Sequence, residues 1–366
     1  MLPIRPATTR ALVIRKAPQA AKPVYHDAKV EQKPVPALKE GEVLVQIRAA
    51  AFNHRDVSLW SRKGQYPGLA FGATMGADGA GVVIASSVPS DSLLQKRVIL
   101  VSNRGWESDP HAPENPLGGG ILGGTNYPPI GTFTDYVVVE RTQVIPTPDH
   151  LDDVHAAAWP LGGVTAWRAS MINARVEKGH NVLITGIGGG VALIALQLCV
   201  AKGANVYVTS GTDDKISKAV SLGAKGGVKY RDSDWSKQLE ALLKRDGQAH
   251  LHAVIDSAGG DIAQQTNRLL KHGGRIVCYG MTAAPAISFT MREVLKNQQL
   301  IGSTMGSRQD LIDATAFLAR HKIVPVVSHV LDGLDAAERG FELMQKGEQF
   351  GKIVIDLGAS SSRAKL

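Results

Sequence analysis

A glycine-rich turn is the first place in the sequence where residue types and spacing could do chemistry. The segment NVLITGIGGGVALIALQLC places this turn between a predicted strand and a predicted buried helix. Gly186 allows a tight turn, and Gly189 and Gly190 let the backbone approach a pyrophosphate closely. The amino end of the helix offers N–H groups and a partial positive charge. Together with Gly188 and Val191, these residues predict a binding site for the phosphates of a dinucleotide.

The end of the next predicted strand indicates which dinucleotide binds. Enzymes that use NAD carry an acid there, which accepts the ribose hydroxyls, whereas this chain has Ser210 in the segment NVYVTSGTDDK. The missing acid leaves room for a 2′-phosphate, to which Lys215 could add a positive charge and Tyr230 a hydroxyl. A solvated Lys215 and a merely packed Tyr230 are the alternatives. The pattern favours NADPH, although Asp213 or Asp214 could still reach a ribose.

These residues need a doubly wound α/β domain to position them. From about His155 the sequence alternates short apolar strands with helices, which is typical of a parallel sheet covered on both faces. Ligands of such sheets bind at the carboxyl ends of the strands. Further candidates for contact with the cofactor follow predicted strand ends there, and they are Ser257, Gly280, Met281, Ser303 and Met305.

The sequence on either side of this domain predicts a second, mostly β domain. Strands such as GEVLVQIRAAAFN and GAGVVIAS alternate with glycine-rich turns, and the chain closes with the strand GKIVID. The predicted fold class is therefore α/β with two domains. The mostly β domain comprises residues 1–151 and is completed by 302–366, and the cofactor domain comprises 152–301.

Composition excludes several classes of protein and of site. The 366 residues are 44% hydrophobic and 20% charged, which is ordinary for a globular protein. The net charge is +8 but no run of five basic residues occurs, so nucleic-acid binding is not expected. The longest apolar run is too short to span a bilayer, so no membrane is expected as a partner. Only Cys199 and Cys278 are present, which excludes a disulfide framework and a cysteine-rich zinc cluster.

Several motifs, taken with the glycine-rich turn, resemble the medium-chain dehydrogenase/reductase superfamily and, within it, the zinc-free quinone oxidoreductase branch. They are AAFNHRDVSLW, GADGAGVV, GTFTDYVVVE, PLGGVTAW and GKIVID, and they run in order from about Arg10 to Gly358. The resemblance implies a GroES-like catalytic domain, a Rossmann domain that binds NADP, and a homodimer or homotetramer that acts on a small molecule.

The same resemblance implies that no metal is bound. Zinc-dependent members carry a cysteine where this chain has Asn53, and a His-Glu pair where it has Ala77 and Asp78. They also have a thiol or acid near Gly162 and four cysteines in the loop after Ser102. Asparagine and alanine cannot supply the thiolate and the imidazole of a tetrahedral zinc site.

Without a metal to polarise a carbonyl, hydride addition is easiest to a conjugated acceptor, which becomes a delocalised anion that hydrogen-bond donors must stabilise. The resemblance places Asn53 near the nicotinamide as an amide donor and Thr165 against the nicotinamide ribose. Tyr66, in the segment KGQYP, is similar to the proton donor of enoyl-thioester reductases. Its alternative role is to form a wall of the substrate pocket.

Three functions follow as hypotheses. The first is an NADPH-dependent reductase of enones, enals or quinones, the second an enoyl-thioester reductase, and the third a sensor that binds NADPH without turnover. The ending Ala364-Lys365-Leu366 is a conservative variant of a peroxisomal address. It predicts recognition by the peroxisomal import receptor and a peroxisomal location, with the cytoplasm as the alternative.

Overall fold

The computed structural model describes residues 5–17, 26–60 and 68–358. Tyr66 and the ending Ala364-Lys365-Leu366 lie outside the described residues, so their roles stay predictions. Among the described residues, no helix has both the length and the apolar character needed to cross a bilayer.

The chain divides into two compact units. The first contains the described residues up to Leu161, Ser307–Thr315 and those from Val324 onward, and the second contains Gly162–Gly306 and Ala316–Ile323. The sequence places the first boundary ten residues earlier, near 151. The structural boundary lies later because the helix that follows residue 151 packs on strands of the first unit's sheet.

Strands and helices are numbered in chain order through the described residues. The stretch before Pro160 contains β1 Thr8–Arg15, β2 Asp27–Pro34, β3 Glu42–Ala51, α1 His54–Trp60, β4 Asp78–Ser86, β5 Arg97–Leu100, β6 Asn103–Arg104, β7 Gly120–Ile121, β8 Tyr136–Glu140, β9 Val144–Pro146 and α2 Asp153–Ala157. A 3₁₀ turn at Arg141–Gln143 joins β8 to β9.

The middle of the chain contains α3 Pro160–Trp167, β10 Asn181–Ile184, α4 Gly190–Ala201, β11 Asn205–Ser210, α5 Asp213–Ser221, β12 Gly226–Lys229, α6 Trp235–Arg245, β13 Leu251–Asp256, α7 Ile262–Thr266, β14 Leu270–Cys278, α8 Met291–Val294 and β15 Gln299–Gly302. A π-helical segment, Arg168–Asn173, continues α3. The last stretch contains α9 Arg308–His321, β16 Val327–Asp332, a 3₁₀ turn at Leu334–Ala336, α10 Ala337–Lys346 and β17 Lys352–Asp356.

The first unit is built on a mostly antiparallel sheet in the strand order β16-β17-β3-β4-β5-β9, with β8 also paired to β3. Its core holds an aromatic cluster in which the ring of Phe52 lies 4.8 Å from that of Phe133 and 5.1 Å from that of Phe341. Gly340 is required in α10 because a Cβ there would come within 2.3 Å of the Phe52 ring. The cluster therefore fixes α10 against the end of β3.

The second unit is a six-stranded sheet in the order β12-β11-β10-β13-β14-β15, and every neighbouring pair is parallel. The strand order reverses between β10 and β13, which is where ligands bind in doubly wound folds. Helix α4, GVALIALQLCVA, is apolar except for Gln197, because most of its residues are buried. The predicted fold class, a mostly β GroES-like domain with a doubly wound Rossmann domain, is confirmed.

The loop between β6 and β7 is organised by one carboxylate. The Glu114 side chain accepts the backbone N–H groups of Glu107, Ser108 and Asp109, each at 2.7 Å. The hydrogen bond from Ser108 is the largest of the effects that lower the pKa of Glu114 to about 2. Backbone N–H groups therefore stabilise the charge of this exposed carboxylate.

We expect Glu114→Gln to loosen this loop at neutral pH, because a neutral amide accepts three N–H groups less well than a carboxylate does. The folded-state pKa lies below the ordinary value of about 4.3. The carboxylate therefore stabilises the loop above that pH and loses this effect as the pH falls toward about 2. Limited proteolysis at pH 7 should cut the loop faster in the variant. Glu348→Gln, at another exposed glutamate of the same unit, is the control, and equal cleavage of both variants would contradict the expectation.

Candidate functional site

Three adjacent strands bring an asparagine, an aspartate and a lysine to one end of the first unit's sheet. Lys352 opens β17, Asp78 opens β4, and Asn53 follows β3, which lies between these two strands. The antiparallel register pairs Ala51 with Val354 on one side and with Asp78 on the other. Lys352 is 5% exposed, Asp78 is 0% exposed and Asn53 is also buried. The sheet register thus places a buried charge pair around the Asn53 side chain.

The contacts of these three side chains fix the orientation of the Asn53 amide. Lys352 Nζ donates to Asn53 Oδ1 at 2.6 Å and to Asp78 Oδ2 at 2.8 Å. Asn53 Nδ2 donates to Asp78 Oδ2 at 2.9 Å. An ammonium can only donate and a carboxylate can only accept, so the amide oxygen must face the lysine and the amide nitrogen the aspartate. A flipped amide would lose both hydrogen bonds.

The carboxylate of Asp78 has further donors on its other oxygen. Ser102 Oγ donates to Asp78 Oδ1 at 3.1 Å, and the backbone N–H of Leu161 donates to the same oxygen at 2.7 Å. With Lys352 and Asn53, these donors give the buried carboxylate four hydrogen bonds. A buried charge is tolerated when it is paired and hydrogen-bonded in this way.

Asp56 anchors the backbone of Asn53. Its Oδ2 accepts the Asn53 backbone N–H at 2.8 Å, and Arg55 Nη1 lies 3.6 Å from its Oδ1. Burial raises the pKa of Asp56 to about 6, although the Arg55 charge and the hydrogen bond from Asn53 oppose that rise. The sequence predicts a catalytic role for Asn53, but it does not predict the side chains that form hydrogen bonds with it. A lysine inside the apolar strand GKIVID was the available clue to Lys352.

In the second unit, the glycine-rich turn adopts the conformation that its sequence predicts. Gly186 and Gly188 have φ values of +64° and +129°, which favour glycine. The N–H of Gly186 donates to Thr209 Oγ1 at 3.2 Å, and the N–H of Ile187 donates to the Thr209 carbonyl at 2.9 Å. Helix α4 begins at Gly190, so the N–H groups of Gly190 and the next two residues have no carbonyl partner inside the helix. The turn therefore fits a bound pyrophosphate.

A buried aspartate holds together the strand ends behind this turn. Thr185 Oγ1 donates to Asp256 Oδ1 at 2.7 Å, and the Gly259 N–H donates to Asp256 Oδ2 at 2.7 Å. The Ser257 N–H donates in turn to Thr185 Oγ1 at 3.0 Å. A Cβ at Gly186 would lie 2.7 Å from Ser257 Oγ. The structure thus brings together Gly186 and Ser257, which the sequence proposed independently as cofactor contacts.

Gly280 joins the same group of residues at the end of β14. A Cβ at Gly280 would lie 2.8 Å from the Ser257 carbonyl oxygen, so only glycine allows the two backbones to approach. Met281, the next predicted contact, is 71% exposed and has no described contact with the glycine-rich turn. Its role stays a prediction.

A hydroxyl and a guanidinium lie beside the end of β11. A Cβ at Gly211 would lie 3.0 Å from Tyr230 Oη and 3.7 Å from Arg231 Cζ. Tyr230 is 48% exposed, and the Arg231 guanidinium carbon lies 5.9 Å from the centre of its ring. Ser210 is buried and Lys215 lies in the first turn of α5. The sequence identified all of these except Arg231, whose nearness to β11 depends on the pairing of β12 with that strand.

The two aspartates that could have repelled a 2′-phosphate each form an ion pair. Asp213 Oδ2 lies 3.1 Å from Lys229 Nζ, and Asp214 Oδ2 lies 2.8 Å from Lys218 Nζ. These pairs are exposed and each is worth little for stability. They nevertheless reduce the negative potential that a phosphate would meet at this strand end.

Three more predicted contacts lie in the second unit. Thr165 Oγ1 donates weakly to Met305 Sδ at 3.9 Å, and both residues are buried. Met305 has a φ of +52°, which is uncommon for a residue with a side chain. Ser303 Oγ is buried and has no hydrogen-bond partner among the described residues. A residue with a positive φ two positions after a buried hydroxyl that has no partner among the described residues is compatible with the edge of a ligand site.

Comparison with known families identifies two domain models in the chain. Residues 39–149 match the alcohol dehydrogenase GroES-like domain, and residues 190–320 match the zinc-binding dehydrogenase model. The chain is also similar to the zinc-type alcohol dehydrogenase-like protein YogA of Leptosphaeria maculans. The two are 43% identical over 345 residues, which cover 91% of this chain and 96% of that protein.

Solved structures share the same fold. A structure described as an NAD-dependent alcohol dehydrogenase has a TM-score of 0.82 and 30% identity, over 95% of this chain and all of that one. The crotonyl-CoA carboxylase/reductase AntE in complex with NADP also has a TM-score of 0.82, over 97% and 96% of the two chains. At 20% identity, this second likeness shows the fold alone.

We expect the buried pair of Asp78 and Lys352 to be strongly coupled in stability. Lys352→Met should lower the free energy of unfolding by roughly 3–5 kcal/mol, because it leaves a buried carboxylate without its cation. The double variant Asp78→Asn/Lys352→Met should lose less than this single variant, because no net charge then stays buried. Urea denaturation of the four proteins of this cycle, which are the unmodified protein, Lys352→Met, Asp78→Asn and the double variant, measures the difference. A double variant at least as unstable as the sum of its two single variants would contradict the coupling.

Proposed function

Because this chain belongs to the medium-chain dehydrogenase/reductase superfamily, we propose that it is an NADPH-dependent reductase of conjugated carbonyl compounds or quinones and that it works without zinc. The family assignment makes the chain an oxidoreductase of the alcohol dehydrogenase-like type. The observation that carries the rest is the Lys352 ammonium, which bonds to both Asn53 and Asp78 at 2.6 and 2.8 Å.

Zinc is the metal to test, since one matching family model describes zinc-binding dehydrogenases. The residues around Asn53 do not fit a tetrahedral zinc site, because the Asn53 amide and the Ala77 methyl group stand where thiolate and imidazole ligands are needed, and an ammonium lies beside them. A divalent cation beside Asp78 would have to displace the ammonium that already neutralises this carboxylate. In the described part of the chain, no group of three or more His, Cys, Asp or Glu side chains could hold a metal.

Two features of the second unit support NADPH over NADH. No acid stands free at the end of β11, since Asp213 and Asp214 are each paired with a lysine. Tyr230 and Arg231 lie beside Gly211, where a hydroxyl and a guanidinium suit a 2′-phosphate. Because one similar structure is described as NAD-dependent, the rates with NADPH and with NADH are compared directly in the assay below.

The substrate class follows from what the first unit offers in place of a Lewis acid. When bound, NADPH supplies a hydride. Without a metal, an isolated carbonyl is poorly activated, whereas a conjugated acceptor spreads its developing charge over several atoms. Hydrogen-bond donors are then sufficient to stabilise the anion, and Asn53 is the donor that we propose among the described residues. Enones, enals and quinones share this chemistry.

We expect the purified protein to oxidise NADPH in the presence of an enone, an enal or a quinone, and to do so faster than with NADH. Loss of NADPH absorbance against a panel of acceptors, which includes a crotonyl thioester and a simple aldehyde, measures this. Zinc determined by elemental analysis should be well below one atom per chain, and dialysis against a chelator should leave the rate unchanged.

Each alternative has its own outcome in this assay. Turnover confined to the thioester would identify an enoyl-thioester reductase. Tight NADPH binding with no turnover on any acceptor would favour a sensor. Stoichiometric zinc together with oxidation of simple alcohols would overturn the proposal.

We expect Arg231→Gln to weaken NADPH binding by about tenfold and to leave NADH binding unchanged, because only the 2′-phosphate would lose a charged partner. Quenching of intrinsic fluorescence on titration with each dinucleotide gives both dissociation constants. Arg292→Gln, at an exposed arginine elsewhere in the second unit, is the control. Equal losses for NADPH and NADH in Arg231→Gln would mean that this residue does not distinguish the two cofactors.

A further inference from the structure

We propose that Lys352 is a positioning residue of the reaction: with Asp78 it orients and polarises the Asn53 amide so that one of its N–H groups can stabilise the anion formed from the acceptor. This inference rests on the proposed reductase function. It assigns a role to a charged pair that would otherwise be an unexplained feature of an apolar sheet.

The first step is a count of the donors on the Asn53 amide nitrogen. One N–H is used by Asp78 Oδ2 at 2.9 Å. Among the described residues, the other has only the Ala51 carbonyl oxygen at 3.5 Å, which is at the limit of a hydrogen bond. A ligand oxygen at ordinary distance would be a better acceptor for it. One N–H of the Asn53 amide can therefore donate to a ligand, and the orientation of the amide is already fixed.

The second step is the effect of the neighbouring charge. Lys352 Nζ is 2.6 Å from the amide oxygen, a short and charge-assisted hydrogen bond. An ammonium at this distance draws electron density toward Oδ1 and makes the N–H groups of the same amide more positive. Because all three residues are buried, water screens this effect only weakly. The amide is thus a stronger donor than an isolated asparagine.

The third step concerns how little the ion pair of Asp78 and Lys352 contributes to the free energy of folding. A buried ion pair stabilises a protein little compared with well-packed apolar residues of similar volume. Two apolar side chains at positions 78 and 352 would join β17 to β4 across β3 without any buried charge. The pair nevertheless contacts the one asparagine that the site offers as a donor. A role in orienting this amide accounts for both observations.

No covalent change occurs at Lys352 in this proposal. The new C–H bond would form at the β-carbon of the acceptor while the C–H bond that supplies the hydride breaks at the nicotinamide of NADPH, which is oxidised to NADP⁺. The π electrons of the acceptor then move to its oxygen, which becomes the anion. Asn53 donates a hydrogen bond to that oxygen, and water supplies the proton that completes the product. Lys352 keeps its proton throughout and acts only through the amide.

The test compares Lys352→Met, Lys352→Arg and the double variant Asp78→Asn/Lys352→Met in the full-length protein. The double variant keeps the experiment decisive if the single variant does not fold. Lys33→Met is the matched control, because Lys33 is a half-buried lysine of the same unit that donates to Gly72 and Thr74. NADPH affinity and the melting temperature are measured for each protein besides activity.

We expect Lys352→Met and the double variant to lose about 100-fold in kcat on an enone, in the range reported for one oxyanion donor, with little change in KM. The loss should be much smaller on a quinone, since its hydroquinone anion is intrinsically more stable. Lys352→Arg should recover part of the enone activity, and Lys33→Met should behave as the unmodified protein. NADPH affinity should be unchanged in all variants.

A purely structural role for Lys352 predicts a different pattern. Enone and quinone rates would then fall together, in proportion to the loss of folded protein, and that result would overturn the proposal. Unchanged kcat on the enone in a folded double variant would overturn it as well. If the unmodified protein itself reduces no acceptor, the proposed function fails, which is distinguishable because that result does not depend on any variant.

Discussion

The buried ion pair between Asp78 and Lys352 is the constraint on which the first unit depends. The two residues are 274 positions apart in sequence, and the whole stretch from Gly162 to Gly306 lies between them. Their contact requires β17 to return beside β3 in one register, with Val354 opposite Ala51. A slip by one residue would turn the lysine to the other face of the sheet and leave a buried carboxylate without its cation. The pair therefore specifies register as well as joining distant segments.

The second unit organises its strand ends with a buried aspartate too, but by different chemistry. The Asp256 carboxylate is satisfied by the Thr185 hydroxyl and by backbone N–H groups that include that of Gly259. Among the described residues, no cationic side chain forms a hydrogen bond or an ion pair with it. These two hydrogen bonds, each 2.7 Å long, join the residue after β10 to the turn after β13 without adding a positive charge close to the glycine-rich turn. The amino end of α4 keeps its own partial charge for a phosphate.

Sequence periodicity and glycine spacing were sufficient to predict much of this architecture and the glycine-rich turn, because both depend on local geometry. Gly186 and Gly188 have the positive φ values that a tight turn needs, and the strands of the second unit follow the apolar runs. The contacts of Lys352 could not be predicted in this way, since they depend on which strands become neighbours. The same holds for Arg231, which reaches Gly211 only through the pairing of β11 with β12. The first boundary between the two units lies after Leu161 rather than near residue 151, because α2 packs on the sheet of the first unit.

The Asn53 environment also explains why one substitution would not be sufficient to build a tetrahedral zinc site around position 53. A cysteine at position 53 would supply one thiolate, yet Ala77 would still offer no imidazole, and the Lys352 ammonium would remain within hydrogen-bond distance of Asp78. A cation and an ammonium beside the same carboxylate repel each other, and removing the ammonium alone would cost the register that it specifies. The Asp78 oxygen that faces Asn53, Oδ2, already accepts hydrogen bonds from both Lys352 and Asn53. A metal ion beside this oxygen would therefore compete with two donors that the sheet register holds in place.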